Sequence, residues 1–279
     1  MNLFKKLESP LITLSQEINT TYMRTLSVVL LAAVCLYTSV YAKNQISGTS
    51  AAPNAAPALS TPLRNELPIY SVETDQPVIA LTFDAAWGDE DLADILAILS
   101  AHQAKATFFV SGDWVDKYPD AIQSIHAAGH ELANHGTNHK HMPQLSEEAM
   151  MTEIMECHQR VNALTGVNMT AFRAPYSDWS DSVVAVAKRC GYSSINQNVD
   201  SVDWKDYGVD SIIQTVMQDP DLGNGAIILL HNGATYTRDA LDELLTQLEQ
   251  AGYQFETISN LVYTTDYTID HTGRQFPST

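Results

Sequence analysis

The sequence predicts an α/β fold built around a parallel sheet, and two observations carry that expectation. From residue 78 onward, apolar runs rich in β-branched and aromatic residues alternate with amphipathic helical stretches, about seven strands in all. Alternation of this kind builds parallel sheets with helical crossovers. The first run, Val78-Ile79-Ala80-Leu81-Thr82-Phe83, is apolar almost throughout, as expected of a strand buried on both faces. Such a sheet is either open and doubly wound or closed into a barrel. No Gly-x-Gly-x-x-Gly follows the first strand, so a dinucleotide site is not supported.

After the first strand, Asp91 is a suitable N-cap for a helix running to Ser100, with Leu92, Ile95, Leu96 and Leu99 at helical spacing. A strand follows at 106–110, a helix from Pro119 to Ala128 ended by Gly129, and a short strand at 131–134. Ser146-Glu147-Glu148 opens a long amphipathic helix that Gly166 closes. Beyond it come a strand at 169–172, a helix at 182–189 and a strand at 192–196. A helix at 209–218, the apolar strand 226–230, a helix at 238–250 and a last strand at 253–258 complete the pattern.

The ends of the chain read differently. Behind Lys5, Lys6 and Arg24, residues 26–42 are uncharged and mostly apolar, at the lower limit of about 17 residues for spanning a bilayer. The small residues closing this run fit signal-peptide cleavage after Ala42, with an uncleaved signal anchor as the alternative. Residues 43–66, rich in Ala, Pro, Ser and Thr, form a flexible linker. Residues 67–263 suffice for one substantial domain, and 264–279 make a polar, peripheral tail. The expectation is an extracytoplasmic protein, secreted or held at the membrane only through its N-terminal segment. A formal charge of −18 argues against nucleic-acid binding, which needs clustered Lys and Arg. Of the three cysteines, Cys35 lies in the export segment, and Cys157 and Cys190 either pair or remain free thiols.

Chemistry is concentrated where the expected strands end. Asp84 follows the first, His135 the one at 131–134, Arg173 the one ending at Phe172, and His231 the one ending at Leu230. Asp200 and Asp203 come shortly after Asn196. In a parallel barrel all strand C-termini open on one face, where catalytic groups gather. Singly, each residue has an ordinary reading: a turn aspartate, a surface arginine, a core histidine. Their shared placement favours a site. His135 and His139, four residues apart, are candidate ligands of one divalent metal, which polarises a carbonyl and acidifies bound water. Asp84 is a candidate base, Arg173 holds a carboxylate ionised and oriented, and His231 is a candidate acid. The set suits metal-assisted hydrolysis of an amide or ester.

In that combination and order the residues resemble the polysaccharide deacetylases of carbohydrate esterase family 4, over about residues 75–262. Thr82-Phe83-Asp84 is similar to the first motif, whose aspartate is the base, and His135-Gly136-Thr137-Asn138-His139 to the second, which supplies two metal ligands. Arg173-Ala174-Pro175-Tyr176 resembles the third, with arginine orienting the base and Tyr176 at the site wall. Asp200-Ser201-Val202-Asp203-Trp204 resembles the fourth, with Asp203 supporting charged partners and Trp204 lining the acetyl pocket. Leu229-Leu230-His231 resembles the fifth, with Leu230 taken as the leucine near the acetyl methyl.

The resemblance implies a distorted parallel (β/α) barrel as a single catalytic domain. It also implies a divalent transition metal, zinc or alternatively cobalt. The reaction expected is N-deacetylation of amino sugars in a polysaccharide, with peptidoglycan of the cell wall first and chitin-like oligosaccharides second. One departure stands out. The family carries a metal-binding aspartate directly after the first, and this chain has Ala85. Asp89, Asp91 or a water is left to complete the ligand set. A catalytically weak glycan-binding module is the competing reading. Trp179, in the loop after Pro175, is a further candidate to face sugar rings.

Overall fold

The computed structural model describes residues 67–278, so the expected export segment and the whole linker lie outside the described residues. Its elements run β1 (Ser71–Val72), β2 (Val78–Ala85), α1 (Leu92–Ala101), β3 (Ala106–Val110), α2 (Gly112–Lys117), α3 (Pro119–Ala127), β4 (Glu131–Asn134), α4 (Glu147–Thr165), β5 (Ala171–Phe172), α5 (Asp181–Arg189) and β6 (Ser193–Ser194). They continue β7 (Val199–Asp200), α6 (Val209–Met217), β8 (Ile227–His231), α7 (Thr237–Gln250), β9 (Gln254–Phe255), α8 (Ile258–Leu261), β10 (Tyr267–Ile269) and β11 (Arg274–Pro277). Among the described residues no helix is long and apolar enough to cross a membrane.

The sheet is parallel in the order β6-β5-β4-β3-β2-β8-β7, with β9 beside the start of β2. It curls into a half-barrel. The gap between β6 and β7 has a simple cause. Only residues 195–198 join them, whereas parallel neighbours need a crossover of about a dozen residues.

The two-residue period of the strands sorts side chains between two layers. Ala80, Phe109, Ala133, Ala171 and Ile227 pack together on one side of the sheet. Ile79, Leu81, Phe83, Phe108, Leu132, Phe172, Ile228 and Leu230 meet the helices on the other, where Phe83 and Phe108 stack at 4.9 Å. Continuing the first series by two-residue steps gives Thr82 and Asp84, His135, Arg173, and Leu229 and His231. The functional candidates thus extend the inner face to the C-terminal mouth.

Helix boundaries follow their caps. The Ser146 hydroxyl accepts the Ala149 N–H at the start of α4, and Gly166 closes it at φ 74°, a conformation glycine adopts freely. Ser180 caps α5 in the same way. Asp91 occupies the position before α1 but makes no cap bond; its carboxylate accepts the Gly233 N–H instead, at 2.9 and 3.0 Å.

Several expectations are corrected. The expected tail, as far as residue 278, is not peripheral: β11 pairs in parallel with β1 and antiparallel with β10, and Gln275 is buried, bonding Tyr263 through both ends of its amide. The last expected strand shrinks to β9, and residue 258 already begins α8. β7 and α2 were not foreseen; both are too short for periodicity to register. Of the two states left open for Cys157 and Cys190, the structure has free thiols.

Candidate active site

Register sets the site's lateral order. Asp84 and His231 are direct partners across β2 and β8, and Asn134 and Phe172, which precede His135 and Arg173, are partners across β4 and β5. Arg173 is fully buried. Its Nη1 donates to Asp84 Oδ1 at 2.8 Å and to the Thr82 hydroxyl at 3.0 Å, its Nη2 to the Asn196 carbonyl at 3.3 Å, and its guanidinium lies 4.2 Å over the Phe109 ring. The other Asp84 oxygen faces His135 Nε2 at 3.4 Å. Burial alone pushes the Asp84 pKa up, but electrostatic interaction with the facing His135 and with the Arg173 guanidinium, together with the arginine hydrogen bond, outweighs it and holds the carboxyl below its ordinary value. Asp84 is therefore an ionised, oriented carboxylate.

The second charged pair lies on the β7–β8 side. Asp203, fully buried, receives His231 Nδ1 at 2.7 Å on one oxygen. On the other it accepts the His231 backbone N–H at 2.7 Å and the Thr237 hydroxyl at 2.6 Å. Burial opposes protonation of His231, and the Asp203 bond and charge overcome it, so its pKa is raised. Asp200 serves the turn itself, accepting the Val202 N–H at 2.9 Å.

His135 and His139 meet edge to face, ring centroids 5.0 Å apart. The His135 Nδ1 lies 2.9 Å from the Arg173 carbonyl oxygen, a bond that leaves Nε2 facing the site. Burial lowers both pKa values, that of His139 to about 4, so both imidazoles are neutral, as ligands must be. Glu153 of α4 holds the loop carrying them. Its carboxylate accepts the Thr137 and Asn138 N–H groups and the Asn138 amide, and pairs with Lys140 at 2.9 Å.

The family's metal finds only part of its ligand set. The two imidazoles fit, but Ala85 contributes a methyl packed in the outer apolar layer. Asp91 is engaged with Gly233. Among the described residues no group of three or more His, Cys, Asp or Glu side chains is arranged to hold a metal ion. The residues present do not complete a three-ligand site.

The remaining candidates divide. Tyr176 (φ 62°) is exposed, with its ring stacked on His141 at 4.2 Å and edge-on to His139 at 4.5 Å. Trp204 is exposed beside Lys205. Leu230 is not at the mouth: it packs in the outer layer, and Leu229, one residue earlier, shares the face of His231. Trp179 is no sugar platform, because it packs against the core and donates to the Tyr70 hydroxyl at 2.8 Å. The sequence reading assigned no role to Thr82, Leu229, Thr237 or Glu153. The first two were within reach, each lying two residues before a candidate on the same strand.

A polysaccharide deacetylase family model matches residues 71–195. The peptidoglycan-N-acetylglucosamine deacetylase of Bacillus cereus is 30% identical over 198 residues, covering 69% of this chain and 92% of that protein. The chain belongs to the polysaccharide deacetylase family. Among relatives of this deacetylase-family chain, the uncharacterized protein YlxY of Bacillus subtilis is 32% identical over 70% of this chain, a match spanning 60% of YlxY. A crystal structure of BA3943, a CE4 family pseudoenzyme from Bacillus anthracis, superposes with TM-score 0.67 at 33% identity, covering 70% of this chain and 69% of that one. A mutant of the same pseudoenzyme is described as having restored enzymatic activity.

Proposed function

We propose that the chain removes N-acetyl groups from amino sugars of a polysaccharide, releasing acetate and the free amine. Peptidoglycan N-acetylglucosamine is the first substrate and chitin-like oligosaccharide the alternative. The observation that carries this reading is the facing of two oppositely poised pairs, Asp84–Arg173 and His231–Asp203, across adjacent strands in register.

Asp84 has the ionised carboxylate that takes a proton from attacking water, with Arg173 keeping it charged and aimed. His231, its Nδ1–H held by Asp203, protonates the departing nitrogen from Nε2 as the carbon–nitrogen bond breaks. The 3₁₀ turn at Tyr176 uses the Ser177 and Asp178 N–H groups internally. The Tyr176 N–H, absent from that bonding, is a donor for the oxyanion. A divalent metal, when bound in this family, supplies carbonyl polarisation and an acidified water. With Ala85 in the third ligand position no step is assigned to it here. Zinc, or cobalt in its place, is the metal for which His135 and His139 are suited. Action on a cell-wall polymer fits an exported domain, secreted or tethered by its N-terminal segment.

A second reading, a glycan-binding module with little catalysis, is favoured by Ala85 alone. Acetate release from N-acetylglucosamine oligomers, with and without zinc or cobalt, compared with Asp84→Asn and His135→Ala, separates the two. Release that both substitutions abolish supports the enzyme; oligomer binding with no release under any metal overturns it.

A further inference from the structure

The loop after β2 carries Trp87, whose indole lies flat on the His231 imidazole, with centroids 4.9 Å apart and planes 19° from parallel. Trp87 is nevertheless 45% exposed, so the histidine covers one face of the indole and the exposed surface includes the other. Large aromatic side chains left in water forgo the stabilisation of burial, and this one is also held in place. The Gly88 carbonyl, next in the chain, accepts from Asn232 Nδ2 at 2.8 Å and from Trp114 Nε1 at 3.2 Å. Asp91 takes the Gly233 N–H. Gly233, at φ 78°, comes so near that a Cβ there would lie 2.9 Å from the Gly88 nitrogen. The loops after β2 and β8 are thus locked together with Trp87 at their junction. A rigid aromatic face loses little conformational entropy on binding.

A pyranose chair with equatorial substituents carries hydroxyls at its rim and axial C–H groups on its faces, and so is complementary to an indole face. Contact places such a ring about 4 Å beyond the indole. It is then out of hydrogen-bond reach of His231, which lies on the opposite side of the indole. The ring carrying the scissile acetamide must bring its nitrogen within that reach, so the ring over Trp87 is a different one.

We propose that the open face of Trp87 is a sugar subsite, stacking on the pyranose next to the one that is deacetylated, while its covered face keeps His231 in place. This makes an oligomer rather than a single amino sugar the preferred ligand, and it rests on the reading of the site as one for N-acetylated amino sugars.

The test is calorimetric titration of the N-acetylglucosamine tetramer and monomer into the wild-type chain, Trp87→Ala and Trp87→Phe, with acetate assayed in the same samples. Trp87→Ala should weaken tetramer binding by about tenfold or more, the range of a truncated tryptophan anchor. It should weaken monomer binding far less, and Trp87→Phe should restore most of the loss. Thermal midpoints near wild type for both variants would place the effect on binding rather than folding. Unchanged tetramer affinity in Trp87→Ala, equal weakening of both ligands, or a wild-type chain that binds no tetramer would overturn the subsite. Tetramer binding that depends on Trp87 without acetate release would uphold the subsite and refute the deacetylase reading.

Discussion

Asp203 grips His231 at two points, accepting the ring Nδ1–H on one oxygen and the backbone N–H of the same residue on the other, both at 2.7 Å. A carboxylate in that position fixes the tautomer and rotation of the imidazole and leaves Nε2 as the atom that meets substrate. It also raises the histidine's pKa against the pull of burial.

Asp203→Asn should lower acetate release by about 10²-fold or more, the typical contribution of a positioned acid, and move the alkaline limb of the pH–rate profile to lower pH. The stability effect has a definite sign. Because the folded pKa of His231 is raised above 6.5, the stabilisation from its protonated pairing is complete below that value and lost as pH rises through the folded pKa. Thermal midpoints should therefore differ most between wild type and variant on the acidic side, and converge on the alkaline side.

Arg173→Met should cost about 3–5 kcal/mol in urea unfolding, since it leaves the Asp84 carboxylate buried without its partner. In the Asp84→Asn/Arg173→Met double variant the two losses should sum to clearly less than the separate effects. Strict additivity would show that the 2.8 Å contact carries no coupling.

Ala85→Asp places a carboxylate at the position where the family carries its third ligand. The side chain there is fully buried, so the substitution should destabilise the metal-free protein and make zinc stabilising, by about 2.7 kcal/mol at a hundredfold excess over Kd. Melting curves with and without zinc measure this. A variant whose midpoint does not respond to zinc more than wild type would show that a side chain at 85 does not reach the two histidines.

Glu153→Ala should destabilise the fold by about 1.5–3 kcal/mol, the scale of hydrogen bonds to a charged acceptor. It should also loosen the loop bearing His139, seen as faster amide exchange at Thr137 and Asn138, whose N–H groups the carboxylate now holds. Slow exchange in the variant would assign that loop's order to other contacts.

Much of the architecture was legible in local patterns. β2, β3, β4 and β8 are long enough for apolar composition to register, and their ends marked Asp84, His135 and His231. β7 and the β1–β11 pairing were not, because β7 and β1 are two residues long, β11 (Arg274–Pro277) carries no apolar run, and the partners are distant in sequence. Leu230 was misassigned for a related reason: strand period two decides which leucine accompanies His231, and Leu229, not Leu230, has the right parity. Trp179 was misread because a loop tryptophan is exposed or buried according to what packs over it, here the core and Tyr70.

By itself the sequence determined the α/β alternation, the residues at the strand ends and the absence of an aspartate at 85, since composition, spacing and residue identity are local properties. Only the tertiary structure decided that Asp91 bonds Gly233, that Asp203 holds both the ring and the backbone of His231, and that Trp87 covers one face of that imidazole. Each of those contacts joins segments far apart in the chain. Their geometry follows from sheet register and loop packing, which no local pattern encodes.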